Sequence, residues 1–372
     1  MPQESRRILI LTTAYSPFIG GSEIAIDDVT GAISEFFFEI VTPRIKPHLL
    51  TTESDGHRTI HRVGFGSMID KFLFPLTGFL KASALIRRYR INTIHAYQAS
   101  YGGGVGYLIK LFNPGIKFIV TLQEGKNLSK QSFFIRFFRS LILRRADLIT
   151  AISNYLCAYA LKVAPMRQCV VIPNGVNLDK LTISHSASES GRYIVSISRL
   201  VPKNGLKDLI EAFHILNAKH IILDVSLIII GEGPERKSLE ARIRSLGLEL
   251  KVKLLGALPR EKALQYVAGS WIFVRPALSE GLGTAFLEAM ALKVPVIGTP
   301  VGGILDFIKN GETGLFCQPS QPKDLADKIE ILMKNENLRD RLIANAYDLI
   351  KREYSLKSVA DKFRNIYLSY EY

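Results

Sequence analysis

The residues best suited to chemistry lie in one stretch, residues 279–303, with the sequence SEGLGTAFLEAMALKVPVIGTPVGG. Two carboxylates, Glu280 and Glu288, flank a loop of Gly281, Leu282 and Gly283 that leads into good helix formers from Thr284. The N-terminus of a helix offers unpaired N–H groups and a partial positive charge, which suit a phosphate group. Nearby carboxylates can accept hydrogen bonds from hydroxyl groups. The stretch therefore predicts a site for a ligand that carries both an anion and a polyhydroxylated group.

The complete string is more specific than its two glutamates. It resembles the signature of the retaining nucleotide-sugar glycosyltransferases of family four, which has an E-x7-E pair and a LEAMA run at these positions. That resemblance implies an α/β protein of GT-B architecture, with two Rossmann-like domains facing each other across a cleft and the donor held mostly by the second. Two positions depart from the pattern. Lys293 stands where the family usually has glycine, and Asp306 where it usually has glutamate.

Strand and helix patterns alternate along the chain. Buried strands are predicted at residues 7–12, 60–63, 93–97, 117–122, 146–153, 193–200, 252–258, 271–276 and 294–297, and residues 227–235 read as a strand that ends in a glycine turn. Helices are predicted from about Ser22, which can cap the first of them, around 79–90 and after Gly104. Such alternation predicts parallel sheets, whose ligands lie at the carboxyl ends of the strands. From Pro322 onward the pattern is helical.

Turn formers at Pro173, Asn174 and Gly175 mark a domain junction, which a polar stretch, SHSASES, follows. We predict an N-terminal domain on the acceptor side at 1–174 and a donor domain at 175–354. The resemblance implies that the last helix, in 355–372, packs back on the first domain.

In the first domain, the resemblance implies that Gly20 and Gly21 let a loop approach the donor phosphates and the acceptor. A plain turn is the alternative for a glycine pair. His95, Gln123 and Glu124 lie at predicted strand ends and are candidates for the acceptor side. His95 resembles part of a family H-A-H segment, although a lone histidine is more often structural. Gln123 stands at a usual histidine and can hold a hydroxyl but cannot carry a proton at neutral pH.

In the second domain, Arg199 and Lys203 resemble the cation pair that clamps the donor diphosphate. The family lysine directly precedes the glycine that matches Gly205, and Asn204 occupies that place. Lys203 is therefore either a displaced phosphate ligand or a solvated loop lysine. Gly231 belongs to a GEGPE segment that resembles the family's G-x-G-P.

The same resemblance distributes the roles in transfer. Glu288 would bind the ribose hydroxyls, Glu280 the donor-sugar hydroxyls, and Arg199 with the helix end at Thr284 the departing diphosphate. No protein nucleophile is implied, because the leaving phosphate is expected to take the acceptor proton.

Other chemistries lack their motifs. The chain has no D-x-D pair, Walker A loop, NAD fingerprint or Ser/His/Asp motif, so we expect a metal-independent enzyme without a cofactor, acting on a UDP- or GDP-sugar. Three cysteines, Cys157, Cys169 and Cys317, suggest neither a disulfide framework nor a zinc site and fit a reducing cytoplasm.

The net charge of +14 is concentrated in the first half, where residues 1–176 hold 21 Lys/Arg and 11 Asp/Glu. Such an excess attracts phosphate-rich partners, but no nucleic-acid-binding module accompanies it. The helix FFIRFFRSLILRR, at 133–145, carries apolar residues on one side and Arg136 and Arg139 on the other. Either its apolar side packs on the sheet, or part of it meets an anionic membrane surface while the arginines bind headgroups.

The sequence thus predicts a retaining glycosyltransferase that uses a hydroxyl acceptor, either a lipid-linked or a cell-envelope saccharide. It would be cytoplasmic or peripheral on the inner face of the plasma membrane. A sugar-nucleotide 2-epimerase is one alternative. A non-catalytic binding subunit is another, motivated by Gln123, Asn204 and Lys293 at family positions.

Overall fold

The computed structural model describes residues 6–17, 20–124, 131–181, 192–222 and 224–370. These fall into two compact units, Met1–Gly175 with Leu356–Tyr372, and Val176–Ser355. The polar stretch SHSASES lies outside the described residues.

Unit 1 is built on a sheet in the order β3-β4-β2-β1-β5-β6-β7-β8. All neighbours are parallel except β3, which runs antiparallel to β4. The strands are β1 (Arg7–Leu11), β2 (Phe37–Pro43), β3 (Thr52–Asp55), β4 (Arg58–Val63), β5 (Thr93–Tyr97), β6 (Lys117–Leu122), β7 (Leu148–Ala151) and β8 (Cys169–Val171). The central strands are largely buried because helices cover both faces of the sheet.

The helices of unit 1 connect these strands. They are α1 (Gly21–Ala32), α2 (Asp70–Tyr89), α3 (Tyr101–Phe112), α4 (Phe133–Arg145) and α5 (Asn154–Val163). The C-terminal helix, Leu356–Ser369, joins this unit and packs against α1. Its buried residues Val359, Phe363 and Tyr367 share a core with Ile8, Phe38 and other sheet residues.

Unit 2 has an all-parallel sheet in the order β11-β10-β9-β12-β13-β14. Its strands are β9 (Tyr193–Ile197), β10 (Ser226–Ile230), β11 (Val252–Gly256), β12 (Ile272–Arg275), β13 (Val296–Gly298) and β14 (Leu315–Phe316). Its helices are α6 (Leu206–Ala218), α7 (Arg236–Ser245), α8 (Arg260–Ala268), α9 (Thr284–Ala291), α10 (Ile304–Phe307), α11 (Pro322–Lys334) and α12 (Glu336–Leu349), and we call the C-terminal helix of unit 1 α13. The predicted α/β class with two parallel sheets is confirmed.

Three local predictions were wrong. Helix α2 begins at Asp70, nine residues before the predicted start, because the Asp70 carboxylate accepts the N–H groups of Gly66 and Ser67 and fixes the turn there. Ser22 does not cap α1, since Gly20 is the N-cap residue and the Ser22 hydroxyl donates to Glu23.

The third correction concerns the cysteines. Cys157 in α5 and Cys169 in β8 form a disulfide, with Cα atoms 5.9 Å apart. The two residues are 12 positions apart in sequence, but α5 packs on β8 and one short connection brings them together. Cys317 is a buried free thiol.

Within the described ranges, no helix is long and apolar enough to cross a membrane.

Candidate active site

The residues that the sequence singled out in unit 2 converge at the carboxyl ends of β9, β10 and β12. Arg199 is exposed two residues beyond β9. A single-turn 3-10 helix, Pro202–Asn204, follows and ends at Gly205 with a φ of 65°. A Cβ at Gly205 would overlap the carbonyl oxygen of Pro276, so only glycine lets this turn lie against the end of β12.

The two candidate phosphate-binding positions in this turn have different surroundings. Asn204 is buried, and its side-chain amide donates to the Arg199 carbonyl oxygen at 2.6 Å, so it shapes the loop. Lys203 instead extends toward Glu280. Its Nζ donates to the Ser279 carbonyl oxygen at 3.3 Å and lies 3.9 Å from Glu280 Oε2. The structure therefore brings Lys203, and not the residue at the usual lysine position, to the predicted site.

Glu280 is held by cations and by backbone groups. Its Oε2 forms an ion pair with Arg275, the last residue of β12, and its Oε1 accepts the N–H of Gly281 at 2.9 Å. Arg275 is buried, and this burial together with the charge of Arg199 lowers the pKa of its guanidinium to about 10. Two cations, Lys203 and Arg275, thus lie at the Glu280 carboxylate, and Arg199 lies near Arg275.

The backbone of Glu280 is fixed by the second glycine turn. Gly303 donates its N–H to the Glu280 carbonyl oxygen at 3.2 Å. Gly302 has a φ of 56°, and a Cβ there would overlap that same carbonyl oxygen. The two glycine-containing loops of the opening sequence motif therefore lie against one another.

Glu288 lies on the first turns of α9, whose N-cap residue is Gly283 with a φ of 93°. Its Oε1 accepts two hydrogen bonds from Arg260, at 2.9 Å from Nε and 2.7 Å from Nη2. Arg260 is the first residue of α8 and follows the loop at the carboxyl end of β11. The pairing orients the Glu288 carboxylate.

Gly231, just beyond β10, has a φ of 142°, and a Cβ there would overlap the Ser198 carbonyl oxygen. The loops after β9 and β10 are joined further along by the Leu200 N–H donating to the Glu232 carbonyl oxygen at 2.9 Å. Gly231 therefore allows the loop after β10 to approach the loop after β9, which carries Arg199.

The backbone conformation of residue 293 explains why the family usually has glycine at this position. Its φ is 59°, a left-handed conformation that glycine adopts freely and that accounts for the usual glycine. Its ammonium lies 4.9 Å from the centroid of the Tyr347 ring.

In unit 1, the structure does not bring His95 to the sheet edge. His95 is buried within β5, and its ring nitrogens lie 2.8 Å from the Tyr367 hydroxyl and 2.6 Å from Thr121 Oγ1. Burial lowers the pKa of His95 to about 3. The His95 side chain links α13 to the sheet. His95 is therefore a structural histidine and does not lie where an acceptor would bind.

The other candidates of unit 1 do lie at the carboxyl edge of its sheet. Gly20 and Gly21 open α1, and Gln123 and Glu124 directly follow β6. Glu124 Oε2 accepts the Gln123 N–H at 2.9 Å, and its Oε1 lies 3.8 Å from Arg139 Nε. Burial raises the pKa of the Glu124 carboxyl group.

That contact corrects the predicted orientation of α4. Arg139 is buried, with 4% exposure, and faces Glu124 and Gln131, whereas Phe134 is 71% exposed and Phe138 is 60% exposed. The apolar side does not pack on the sheet as a whole, because only Ile142 and Leu143 of its apolar residues are buried.

Sequence reasoning missed Arg275 and Arg260. Arg275 ends a strand at the ligand-binding edge of a parallel sheet, and an arginine in an otherwise apolar strand was a usable signal. Arg260 carried a weaker signal, a cation at a helix start, where acidic residues are more usual.

Among the described residues, no group of three or more His, Cys, Asp or Glu side chains is placed to hold a metal ion.

Two family profiles match consecutive parts of the chain. The profile for glycosyl transferases group 1 matches residues 179–349, and the profile for glycosyltransferase family 4 matches residues 19–180. The chain belongs to the group 1 glycosyltransferases. The site described above in unit 2 lies within the first of these matches.

Individual relatives agree with this family and with the fold. The glycosyltransferase is 26% identical over 362 residues to an uncharacterized glycosyltransferase of Methanocaldococcus jannaschii, which covers 96% of this chain and 97% of the relative. Sucrose-phosphate synthase from Thermosynechococcus elongatus superposes with a TM-score of 0.82 at 19% identity, covering 98% of both chains. Anabaena HepE, crystallised with UDP and glucose, superposes with a TM-score of 0.79 at 20% identity, covering 98% of this chain and 100% of HepE. The fold is GT-B.

Proposed function

We propose that this glycosyltransferase moves a sugar from a nucleoside diphosphate donor to a hydroxyl acceptor with retention of configuration, without a metal ion. The observation that carries the proposal is that Lys203 and Arg275 lie at the Glu280 carboxylate, just before the N-terminus of α9. Arg199 lies near Arg275, and Glu288 is on α9 itself. Anion-binding and hydroxyl-binding groups are adjacent there, as a sugar nucleotide requires. The complex of HepE with UDP and glucose, on the same fold, supports this donor class.

The cations act on the leaving group. As the bond between the anomeric carbon and the diphosphate oxygen breaks, negative charge grows on the diphosphate. Arg199, Lys203 and the N–H groups at the start of α9 stabilise that charge more in the transition state than in the ground state. Because these positive side chains already offset the negative charge, a divalent ion is unnecessary in the proposed mechanism.

The two glutamates orient the donor. Glu288, held by Arg260, accepts hydrogen bonds from the ribose hydroxyls, and Glu280, held by Arg275 and the Gly281 N–H, accepts them from the transferred sugar. A new bond then forms between the anomeric carbon and the acceptor oxygen on the face that the diphosphate leaves. The acceptor proton passes to the departing phosphate oxygen.

For the acceptor we propose a lipid-linked saccharide or a saccharide of the cell envelope, on the unit 1 side, where Gln123 and Glu124 follow β6. Gln123 can hold a hydroxyl group, because its side-chain amide both donates and accepts hydrogen bonds.

The experiment is a nucleotide-release assay with UDP- and GDP-sugars, with and without lipid-linked acceptors, in excess EDTA. Acceptor-dependent release is expected, with a product whose new bond keeps the anomeric configuration. Release of nucleotide with an altered free sugar and no acceptor would show an epimerase, and binding without any release would show a non-catalytic subunit. Loss of activity in EDTA that magnesium or manganese restores would contradict the metal-free mechanism.

The variant Glu288→Ala tests the donor assignment by calorimetric titration. Loss of a charged hydrogen-bond acceptor for the ribose should weaken UDP binding by about 1.5–3 kcal/mol. Glu288→Gln, which keeps the side-chain shape and one acceptor oxygen, should lose less. Wild-type UDP affinity in Glu288→Ala would overturn the assignment.

A further inference from the structure

Unit 1 exposes a large set of apolar side chains on α2, α3 and α4. On α2, Phe72 is 68% and Leu76 64% exposed, and Phe112 at the end of α3 is 67% exposed. On α4, Phe134 and Phe138 are 71% and 60% exposed. Together with Ile69, 63% exposed just before α2, we call these residues the α2–α4 surface. Single exposed apolar residues are ordinary, but a group on adjacent helices marks an interaction site.

The three helices lie side by side, with α3 in the middle. Glycines on α3 allow the close approach, because Gly104 faces Pro75 of α2 and Gly103 faces Ile142 of α4. The exposed rings also contact one another between helices. The Phe72 and Tyr101 centroids are 5.6 Å apart, and those of Phe79 and Phe112 are 5.5 Å apart. The apolar residues of α2 and α3 therefore form one continuous group, and the neighbouring helix α4 carries its own group of exposed rings in mutual contact.

The charges on these helices have one sign. Their sequences contain nine lysines and arginines, of which Lys110 and Arg139 are buried, and one acidic residue, Asp70. Asp70 is buried and accepts backbone N–H groups, so it does not offset the positive charge at the surface. Arg87 and Arg88 near the end of α2 and Arg136 on α4 are exposed beside the apolar residues.

We propose that the α2–α4 surface binds the headgroup region of an anionic lipid bilayer. Exposed phenylalanines and leucines flanked by arginines are the composition of interfacial membrane-binding helices. A second copy of this chain would bring like charges together, and a nucleic acid would leave the apolar side chains in water. An anionic bilayer satisfies both features, because its acyl chains accept the rings and its headgroups accept the arginines.

The membrane surface would hold the enzyme beside a lipid-linked acceptor, so this part of the inference rests on the proposed function, whereas the binding itself does not. Each arginine close to an anionic surface contributes about 1 kcal/mol, which corresponds to about a fivefold change in affinity. Several arginines acting with the apolar residues therefore make binding that depends strongly on salt and on anionic lipid.

The test is co-sedimentation of the full chain with vesicles of phosphatidylglycerol and phosphatidylcholine, and with vesicles of phosphatidylcholine alone. We expect binding to the anionic vesicles, reduced by high salt. The double variant Phe134→Ser/Phe138→Ser should lower the affinity roughly tenfold or more, because two exposed rings no longer enter the interface. Both residues are exposed, so the fold is unaffected. Arg136→Gln should reduce binding by about fivefold and weaken its salt dependence.

The matched control is Met166→Ser, which removes another highly exposed apolar side chain of unit 1, 93% accessible, outside the surface. It should bind vesicles as the unmodified chain does. UDP binding, measured in parallel, should be the same in the unmodified chain and the three variants.

If the unmodified chain does not bind anionic vesicles at low salt, or if Met166→Ser loses as much binding as the double variant, the proposal is wrong. A dimer in sedimentation velocity that the double variant dissolves would instead assign the surface to a second copy. If the unmodified chain binds anionic vesicles but does not bind UDP, the proposed function is contradicted and the membrane inference still holds.

Discussion

At the scale of single residues, the site in unit 2 depends on a carboxylate surrounded by cations. Glu280 contacts Arg275 and lies near Lys203, while Arg199 is close enough to lower the pKa of Arg275. A buried guanidinium needs a partner, and Glu280 is that partner. Arg275 is therefore a positioning residue that fixes the carboxylate assigned to the donor sugar.

The variant Arg275→Met tests that role. Removing one partner of a buried ion pair should lower the free energy of unfolding by about 3 kcal/mol. If Arg275 acts through Glu280, the variant should bind UDP with an affinity close to that of the unmodified enzyme but lose affinity for the sugar nucleotide and lose turnover. The comparison variant Arg275→Lys keeps the charge and should retain part of both. Equal losses for UDP and the sugar nucleotide in calorimetric titrations would contradict a role directed at the sugar.

His95 makes a residue-scale prediction about pH. Its pKa is lowered from 6.5 to about 3 in the folded protein because burial disfavours the charged ring. Between these values the unfolded chain binds a proton that the folded chain does not, so stability falls as the pH decreases below 6.5. From this residue alone, the free energy of unfolding should be lower by about 2–3 kcal/mol at pH 4.5 than at pH 7.

Urea unfolding followed by circular dichroism at the two pH values measures this loss. The variant His95→Gln has no titrating group at this position, while the remaining histidines and carboxylates are common to both proteins. Its stability should therefore depend less on pH. The same pH dependence in both proteins would show that His95 is not the cause.

At the scale of elements, the sequence predicted which segments form helices and strands better than which sides they bury. Strands β5 and β6 have the predicted bounds, since runs of apolar β-formers between turns determine them locally. Helix α4 lies where its pattern predicted, but its buried arginine follows from Glu124, a residue at the end of β6. Periodicity within a helix does not contain that partner. Arg275 and Glu280 likewise meet only because the intervening loop turns back.

The contact between the two glycine loops of the site gives a prediction at the scale of elements. In Gly302→Ala, the added Cβ would overlap the Glu280 carbonyl oxygen at a φ of 56°. The matched control is Gly311→Ala, which has a φ of 79° but no atom within 4 Å of the added Cβ. The control should lose about 1 kcal/mol of stability from backbone strain alone and keep its activity.

Gly302→Ala should lose more stability than the control and most of its turnover, because Glu280 must move to make room. Thermal unfolding and the nucleotide-release assay measure the two effects. Equal behaviour of the two alanine variants would mean that the loop contact does not position Glu280.

At the scale of the whole molecule, unit 1 is completed by a helix from the far end of the chain. Phe363 of α13 is buried, and its ring centroid lies 5.5 Å from that of His95 and 6.1 Å from that of Tyr367. Composition and periodicity predicted a final helix, but its docking partner came only from the family resemblance. One core of unit 1 depends on this helix, because its buried side chains are part of that core.

The variant Phe363→Ala should therefore lower the stability of unit 1 by about 3–5 kcal/mol, the usual loss for a buried ring. Lys357→Ala changes an exposed residue on the same helix and should stay within about 0.5 kcal/mol of the unmodified protein. Calorimetry in the presence of UDP measures the effect, since a ligand bound to unit 2 stabilises that unit separately. A shift confined to the UDP-sensitive transition would contradict the placement of α13 in unit 1.

The division of unit 1 between two separated segments also sets an order of events on the ribosome. Residues Val176–Ser355 form unit 2 and leave the exit tunnel as one uninterrupted segment, whereas unit 1 needs Leu356–Tyr372, which emerge later. Domains commonly fold from the N-terminus as they are synthesised. In this chain unit 2 can therefore form its native core first. The core of unit 1 remains incomplete until Phe363 and Tyr367 have been synthesised and can pack into it.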